Sequence, residues 1–339
     1  MSVLLKYFFI LRLRCYRAWR RVFRAPAAPL PALVKRGQDA PLPFLEGANL
    51  PWLSYGNDFG ANAWSPAGGL ASPGKQEDLR RHLRALRERG ARVVRWFLFC
   101  DGRAGIRFSR AGTPLGPDER LFSDIDCALE AVVREEMQVV FVLFDFLWFD
   151  SASMFNGVQT GGRSRVITNT CRQLALRRRV LAPLLKRYGR SAAILAWDII
   201  NEPEWATRGW GGGNIGPAVS FPAMRRFIRR VARLVHRHSD HLATVGLGNA
   251  AGLPLVRGCG LDFYQVHWYD RWDSVAPLEQ PVAELGLDRP LLLGEFPTRN
   301  SSRSPEAIVA ASRLSGYCGA LSWSLLAKDK FSGMQGIST

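Results

Sequence analysis

The sequence predicts an α/β fold, a (β/α)8 barrel, from three observations. First, eight short runs rich in β-branched and aromatic residues follow one another between residues 44 and 325. Second, most of these runs are continuously apolar, as parallel strands buried on both faces are. Third, helical patterns separate most of them, and strands that alternate with helices indicate a parallel sheet. The runs are residues 44–50, 92–98, 138–146, 193–200, 242–248, 262–268, 290–296 and 319–325.

The helical patterns between the strands carry apolar side chains on one face. Residues 76–89 place Leu79, Leu83 and Leu86 at spacings of four and three, the period of an amphipathic helix. Residues 222–238 begin with proline, as many helices do, and place arginines opposite their apolar face. Further helices are predicted at residues 121–135, 169–188, 277–286 and 304–315. Only 14 residues follow the eighth strand, in a poor helical pattern. We therefore expect a TIM barrel that lacks a regular last helix.

The first 43 residues differ in composition from the barrel. Residues 1–24 combine a five-residue apolar run, YFFIL, with seven cations, which predicts a basic amphipathic N-terminal helix. The run is much shorter than the roughly 20 residues that span a bilayer. Lying on a membrane and packing on the barrel both fit such a helix. Residues 25–43 contain five prolines and are predicted to be a linker, so the barrel domain is assigned to residues 44–339.

Charge and cysteine content restrict the partners of the chain. The formal net charge is +17, but no nucleic-acid recognition motif accompanies it, so we expect no nucleic-acid partner. The six cysteines form no CxxC pair, which favours buried thiols in a reducing compartment and offers no metal site. Neither a metal nor another cofactor is predicted, and we expect a monomer. A cytoplasmic or peripheral membrane location is favoured, and secretion is the alternative.

Two glutamates stand at the ends of predicted strands, where the chemistry of such barrels lies. Glu202 follows the fourth strand and Glu295 belongs to the seventh. Two carboxyl groups that face one barrel mouth form the pair that glycoside hydrolysis requires, one protonated and one ionised. Arg95 on the second strand would keep Glu295 ionised, and Tyr269 could donate a hydrogen bond to it. Glu202, with a more apolar environment, would keep its proton.

The segments WDIINEPEW, VHWYD, LLLGEFPT and LSWSL resemble the signature positions of glycoside hydrolase clan A, closest to family 5, which includes cellulases and β-mannanases. The resemblance covers about residues 44–326. It implies that Glu202 is the general acid/base and Glu295 the nucleophile of a retaining double displacement. The other implied roles are binding of the sugar 2-hydroxyl by Asn201, orientation of Glu295 by Arg95 and Tyr269, lining of the site by His267 and stacking under the sugar by Trp323.

One position departs from the family pattern. Asp145 stands near the end of the third strand, where the family usually has a histidine, so the resemblance does not fix the sugar in the cleaved subsite. Asp145 is therefore a candidate for contacting substrate. The loops 49–64, 147–163 and 204–221 are long and aromatic, and their rings are candidate platforms for sugars. The aromatic candidates in and near these loops are Trp52, Tyr55, Trp148, Trp205, Trp210, Trp268 and Trp272.

The predicted function is that of a retaining β-glycoside hydrolase. Its substrate is a polysaccharide or oligosaccharide of the β-linked glucan or mannan type. Two alternatives remain at this point: a transglycosylase that uses the same covalent intermediate, and a non-catalytic carbohydrate-binding barrel. The sugar, its linkage and the choice between endo and exo cleavage are left open.

Overall fold

The computed structural model describes residues 30–209, 219–270, 273 and 277–334. Its parallel strands surround one axis in the order in which they occur in the chain, so the architecture is the (β/α)8 barrel that the sequence predicts. The first part of β5 pairs with β4 and its second part with β6, which continues the sheet around the ring. The strands are β1 Leu45–Asn49, β2 Val93–Phe97, β3 Gln138–Val142, β4 Ile194–Asp198, β5 Leu242–Thr244 with Gly246–Leu247, β6 Tyr264–His267, β7 Leu291–Pro297 and β8 Gly319–Trp323.

Helices cover the outside of the barrel. In chain order they are α1 Lys75–Glu88, α2 Leu121–Arg134, α3 Ser164–Thr168, α4 Thr170–Leu176, α5 Ala182–Tyr188, α6 Phe221–His238, α7 Leu253–Val256 and α8 Pro305–Leu314. A π-helical turn, Arg177–Leu181, joins α4 to α5. Short 3-10 helices are Phe146–Phe149, Pro203–Ala206, Ala250–Gly252 and Val282–Leu285, and two hairpins pair Ile106–Phe108 with Pro114–Pro117 and Ser153–Phe155 with Val158–Thr160.

One predicted helix is much shorter in the structure. The described part of residues 277–286 contains a single 3-10 turn, Val282–Leu285. Pro281 precedes this turn, and Gly286 ends it in the left-handed conformation at φ 57°. Within the described residues, no α-helix follows β8, as expected. None of the helices in the described ranges combines the length and the apolarity that crossing a bilayer would require.

The lower end of the barrel, at the N-terminal ends of the strands, is closed by apolar side chains. Leu45, Leu195 and Leu292 belong to one buried cluster there, and Leu33 joins it from the segment before β1. The backbone N–H of Leu42 donates to the Leu33 carbonyl at 2.7 Å, which holds this segment in a tight loop. Part of the predicted linker therefore packs against the barrel. The predicted N-terminal helix, residues 1–24, lies outside the described residues.

Candidate active site

A buried arginine organises the mouth of the barrel. The Arg95 guanidinium has no exposed surface, and Nε and Nη2 donate to Asp198 Oδ2 at 3.0 and 2.9 Å. Its Nη1 donates to Glu295 Oε1 at 2.7 Å and to Asn49 Oδ1 at 3.0 Å, and Nη2 also donates to Asn201 Oδ1 at 2.8 Å. Burial lowers the pKa of Arg95, but Asp198 and Glu295 raise it more, so the group stays charged. One cation therefore holds residues of β1 and β7 and two residues at the end of β4 in fixed positions.

A glycine in the second part of β5 gives this arginine its space. A Cβ atom at Gly246 would lie 2.6 Å from Arg95 Nη2 and 3.0 Å from Asp198 Oδ2. Such distances are far inside van der Waals contact, so a larger residue would displace the ion pair. The Gly246 N–H also donates to Asp198 Oδ1 at 3.0 Å. The glycine is thus required by the close approach of the buried charges.

The two predicted carboxyl groups face each other across the barrel mouth. One carboxylate oxygen of Glu202 and one of Glu295 lie within 4.8 Å of each other. Glu202 immediately follows Asn201 and has a left-handed backbone, with φ 44° and ψ 51°. That conformation is strained for a residue with a side chain and is common at functional sites. Burial and geometry therefore place both acids in one small cavity.

Two side chains from the end of β6 contact these acids. His267 Nδ1 lies 2.8 Å from Glu202 Oε1 and 3.4 Å from Glu295 Oε2. The Tyr269 hydroxyl donates to Glu295 Oε2 at 3.0 Å, and burial raises the Tyr269 pKa well above its usual range. On the other side, Trp205 Nε1 donates to Glu202 Oε2 at 2.8 Å. Each glutamate thus has its own set of hydrogen-bond donors, and His267 touches both.

The pKa order of the two acids is the reverse of our expectation. Burial raises the Glu202 pKa, but the hydrogen bond and charge of His267 lower it more, and the hydrogen bond from Trp205 adds to this. Burial raises the Glu295 pKa above its usual value, although His267 and Arg95 oppose the shift. Sequence reasoning placed Glu295 beside Arg95 but did not foresee the direct His267–Glu202 contact.

The His267 ring meets the two acids through Nδ1, which lies 2.8 Å from Glu202 Oε1 and 3.4 Å from Glu295 Oε2. Its Nε2 is buried and finds no hydrogen-bond partner among the described residues. The contacts of His267 with the acids are therefore made from one side of the ring.

Asn201 and Asp145 form one hydrogen-bonded pair at the cavity wall. Asn201 Nδ2 donates to Asp145 Oδ2 at 2.8 Å, and the backbone N–H of Leu147 donates to Asp145 Oδ1 at 2.9 Å. Burial raises the Asp145 pKa to about 7. Since Asn201 Oδ1 accepts from Arg95, the orientation of the amide is fixed from both sides. Sugar hydroxyls in the cavity would meet an amide N–H and a carboxyl group.

The cavity has a volume of about 310 Å³ and an aromatic lining. Trp52, Tyr55 and Trp323 line it together with Phe331, a residue that sequence reasoning did not select. Trp323 Nε1 donates to Asp329 Oδ2 at 2.9 Å, and the Phe331 ring packs against Tyr269 at 5.1 Å. The segment after β8, which is the site of the missing helix, therefore holds two of the predicted substrate contacts in place.

Other predicted sugar platforms lie elsewhere. Trp148 is only 1% exposed, donates from Nε1 to the Phe99 carbonyl and packs against Phe144 at 4.5 Å, so it is a core residue. Its 3-10 helix turns it inward, which the sequence pattern of an aromatic loop cannot distinguish from an outward ring. Trp268 is also buried. Trp210 and Trp272 lie outside the described residues.

Two acids near the site were missed by sequence reasoning. Asp198 lies within the quoted WDIINEPEW segment and is the main partner of Arg95, since an arginine buried in a strand requires an acid nearby. Glu204 is buried two residues after Glu202, and its Oε1 accepts from the Gly248 N–H at 3.0 Å. Burial raises the Glu204 pKa to about 8, so this carboxyl is protonated at neutral pH.

Glu202, His267 and Glu295 are also the residues that could hold a metal ion, because one potential ligand atom from each lies within 4.8 Å of the others. Arg95, however, already places a positive charge 2.7 Å from Glu295. A divalent cation would have to share this carboxylate with the guanidinium. The donor set therefore fits a pair of acids compensated by arginine better than it fits a metal site.

Comparisons with known proteins bear on the fold and the family. No family model matches the chain. The mannan endo-1,4-β-mannosidase of Mytilus edulis is 27% identical over 320 residues, which cover 83% of each chain. The endo-1,4-β-mannanase structure from Eisenia fetida superposes with a TM-score of 0.73 at 22% identity, covering 86% of this chain and 87% of that one. A GH5_18 structure from Streptomyces cattleya gives a TM-score of 0.60 at 12% identity, covering 86% and 75%.

These similarities extend over the whole barrel and not over an isolated motif. The solved structures confirm the (β/α)8 fold class. The mussel sequence supports the predicted resemblance of the chain to glycoside hydrolases, and to β-mannanases among them.

Proposed function

We propose that this protein is a retaining β-glycoside hydrolase that cleaves internal β-1,4 linkages of mannan. The observation that carries the proposal is the separation of the two acids. Retaining enzymes hold their carboxyl groups about 5–5.5 Å apart, whereas inverting enzymes need about 6.5–9.5 Å to admit a water molecule. One carboxylate oxygen of Glu202 and one of Glu295 lie within 4.8 Å of each other, and so short an approach favours the retaining arrangement over the inverting one.

In the first step, the Glu295 carboxylate attacks the anomeric carbon and forms a glycosyl ester. Glu202 gives its proton to the glycosidic oxygen, and this oxygen leaves as a hydroxyl group of the departing part of the polysaccharide. In the second step, Glu202 removes a proton from water, the water oxygen bonds to the anomeric carbon, and the Glu295 carboxylate is released. Arg95 and Tyr269 stabilise the Glu295 carboxylate through hydrogen bonds to different oxygens.

The first step requires a proton on Glu202. Burial favours that proton, but the contacts with His267 and Trp205 oppose it more strongly. Substrate can change this balance, because a sugar in the cavity displaces water and offers its glycosidic oxygen as an acceptor for the Glu202 proton. Two coupled acids share their protons, so the pH dependence of the reaction reports the pair and not either residue alone.

The choice of mannan rests on the mussel and earthworm proteins, which are described as endo-mannanases. It is also compatible with the Asn201–Asp145 pair at the cavity wall. Mannose differs from glucose in the orientation of its 2-hydroxyl, and Asn201 is the residue for which the family resemblance implies contact with that group. An amide held between Arg95 and Asp145 presents a fixed donor to this hydroxyl.

The proposal is tested by incubating the full chain with β-1,4-mannan and, separately, with β-glucan. We expect new reducing ends and a rapid fall in viscosity with mannan only. The matched control is Glu202→Gln, which keeps the shape of the side chain and should lower the rate about 10²–10⁴-fold. Cleavage of glucan alone would contradict the choice of mannan as the substrate. Binding of mannan without cleavage would support the alternative of a non-catalytic carbohydrate-binding barrel.

A further inference from the structure

Two aromatic side chains are exposed just outside the cavity. Trp64 is 37% exposed and Phe155 64% exposed, although large aromatic residues normally bury most of their surface. Arg103 packs on both Trp64 and Tyr55, and Tyr55 lines the cavity itself. We propose that Trp64 and Phe155 form an outer subsite that binds a sugar ring of the polysaccharide at a distance from the cleaved bond. This inference rests on the proposed function and extends it.

A continuous series of ring contacts connects the cavity to this outer subsite. The Arg103 guanidinium carbon lies 4.5 Å from the centre of the Tyr55 ring and 5.0 Å from that of Trp64. The Trp64 and Phe155 rings follow at 6.1 Å. Arg103 cannot swing away easily, because its Nε and Nη2 both bond to the Asp101 carboxylate. The rings are therefore held in a row that leads outward from the cavity.

Phe155 is presented by a rigid element. It belongs to the hairpin strand Ser153–Phe155, whose partner strand is Val158–Thr160. Asn156 and Gly157 form the turn with φ values of 45° and 77°, the conformation that suits a tight hairpin. Trp64 Nε1 donates to the Phe155 carbonyl at 3.2 Å, which joins the loop after β1 to this hairpin. The exposure of Phe155 is thus built into the fold.

The chemistry of the subsite fits a neutral sugar chain. A pyranose ring has an apolar C–H face, which packs on an aromatic ring, and a rim of hydroxyls that require polar neighbours. The polar side chain of Asn62 lies beside Trp64, since its Oδ1 accepts from the Trp64 backbone N–H. A second protein copy fits less well, because a stable interface buries about 800 Å² per partner. Two aromatic side chains bury roughly 300–500 Å² when they are completely covered, and Trp64 and Phe155 are already partly buried.

The test compares substrates that differ in length. Phe155→Ala and Trp64→Ala should lower kcat/KM for a β-1,4-linked mannose hexamer about threefold to tenfold and leave a tetramer unchanged. The matched control is Met154→Ala: Met154 is 65% exposed on the same strand, and its side chain points to the opposite face from Phe155. Equal losses on both oligomers, or no loss on either, would overturn the inference.

A binding measurement separates this inference from the proposed function. If the wild-type protein cleaves neither oligomer, the proposed function fails, and the subsite is judged by electrophoresis in gels that contain mannan. Retardation by mannan that depends on Phe155, but not on Met154, supports the subsite. Absence of retardation, or retardation that is equal in all variants, overturns it. A dimer in sedimentation that Phe155→Ala dissociates would also overturn it, because the patch would then serve a second copy.

Discussion

The two ends of the barrel use the same strands for opposite purposes. On β2, Val93 belongs to the apolar cluster at the lower end, and Arg95 lies two residues later on the same face of the strand. On β4, Ala196 belongs to that cluster, and Asp198 follows two residues later. The barrel interior therefore changes from hydrocarbon to paired charges within about 7 Å of strand. Burial of hydrocarbon at the lower end stabilises the fold, whereas burial of charges at the mouth costs free energy.

The difference also shows how the mouth stays folded. A buried ion is costly unless charges and hydrogen bonds compensate it closely. Arg95 bonds to two carboxylates and two amide oxygens, so the charges of β2, β4 and β7 offset one another. The lower end needs no such compensation, because hydrocarbon side chains only have to fill space. Variants at the two ends should therefore have separable effects.

The largest expected effect is on catalysis at the mouth. Glu295→Ala should lower kcat on mannan by about 10³-fold or more, because no other group replaces the nucleophile. Its thermal stability should stay close to that of the wild type, since Arg95 keeps its bonds to Asp198. The measurements are initial rates and thermal unfolding. Added azide should restore part of the rate, and wild-type activity in this variant would contradict the assignment of the nucleophile.

The opposite result is expected at the lower end. Leu195→Ala removes a side chain that is 1% exposed within the apolar cluster, and it should lower the free energy of unfolding by about 2–5 kcal/mol. Because Leu195 lies far along β4 from the acids, kcat at a temperature where the variant is folded should not change. Denaturant unfolding and initial rates check this pair of outcomes. A Leu195→Ala variant with wild-type stability and no activity would refute the assignment of stability to the lower end and of catalysis to the mouth.

Buried acids at the mouth should make stability depend on pH. The Glu204 pKa is about 8 in the folded protein against an ordinary value of 4.5, so the folded state keeps a proton that the unfolded chain loses. The free energy of unfolding should therefore fall as pH rises from about 4.5 to about 8. Glu204→Gln, which is neutral at any pH, should reduce the fall by roughly 1–3 kcal/mol. Parallel pH dependence of both proteins would show that Glu204 is not responsible.

A smaller effect is expected where the segment after β8 supports the cavity wall. Asp329→Asn weakens the acceptor for Trp323 Nε1 and should lower kcat/KM about threefold to tenfold. The matched control is Asp288→Asn: Asp288 accepts from the Tyr264 hydroxyl at 2.7 Å, at the start of β6 and away from the cavity. The control should leave kcat/KM unchanged. Equal losses in the two variants would indicate a general weakening of the barrel.

The barrel was predictable because its signals are local. Each strand is an apolar run, and helices such as α6 carry a clear apolar face with Met224, Phe227 and Ile228 buried. The two glutamates were predictable because strand ends point to one mouth. Strand pattern alone, however, does not show distances between side chains, so it missed that His267 lies against Glu202.

Loops were the least predictable part of the site. Trp148 and Trp52 both follow strands in aromatic loops, yet the structure buries Trp148 and places Trp52 in the cavity wall. Their difference depends on the path of each loop, which the composition does not fix. The segment that carries Asp329 and Phe331 resembled a poor helix, and its contact with Trp323 depends on a reversal of the chain after β8.

The most direct test determines the anomeric configuration of the sugar that the wild-type protein first releases from mannan. Proton NMR spectra recorded before mutarotation measure it. The short approach of Glu202 to Glu295 favours the retaining arrangement, in which Glu295 and not water makes the first attack on the anomeric carbon. Two successive displacements must then preserve the β configuration, so the β-anomer should appear first and the α-anomer should grow in later. Initial release of the α-anomer would require a single displacement and would contradict the account.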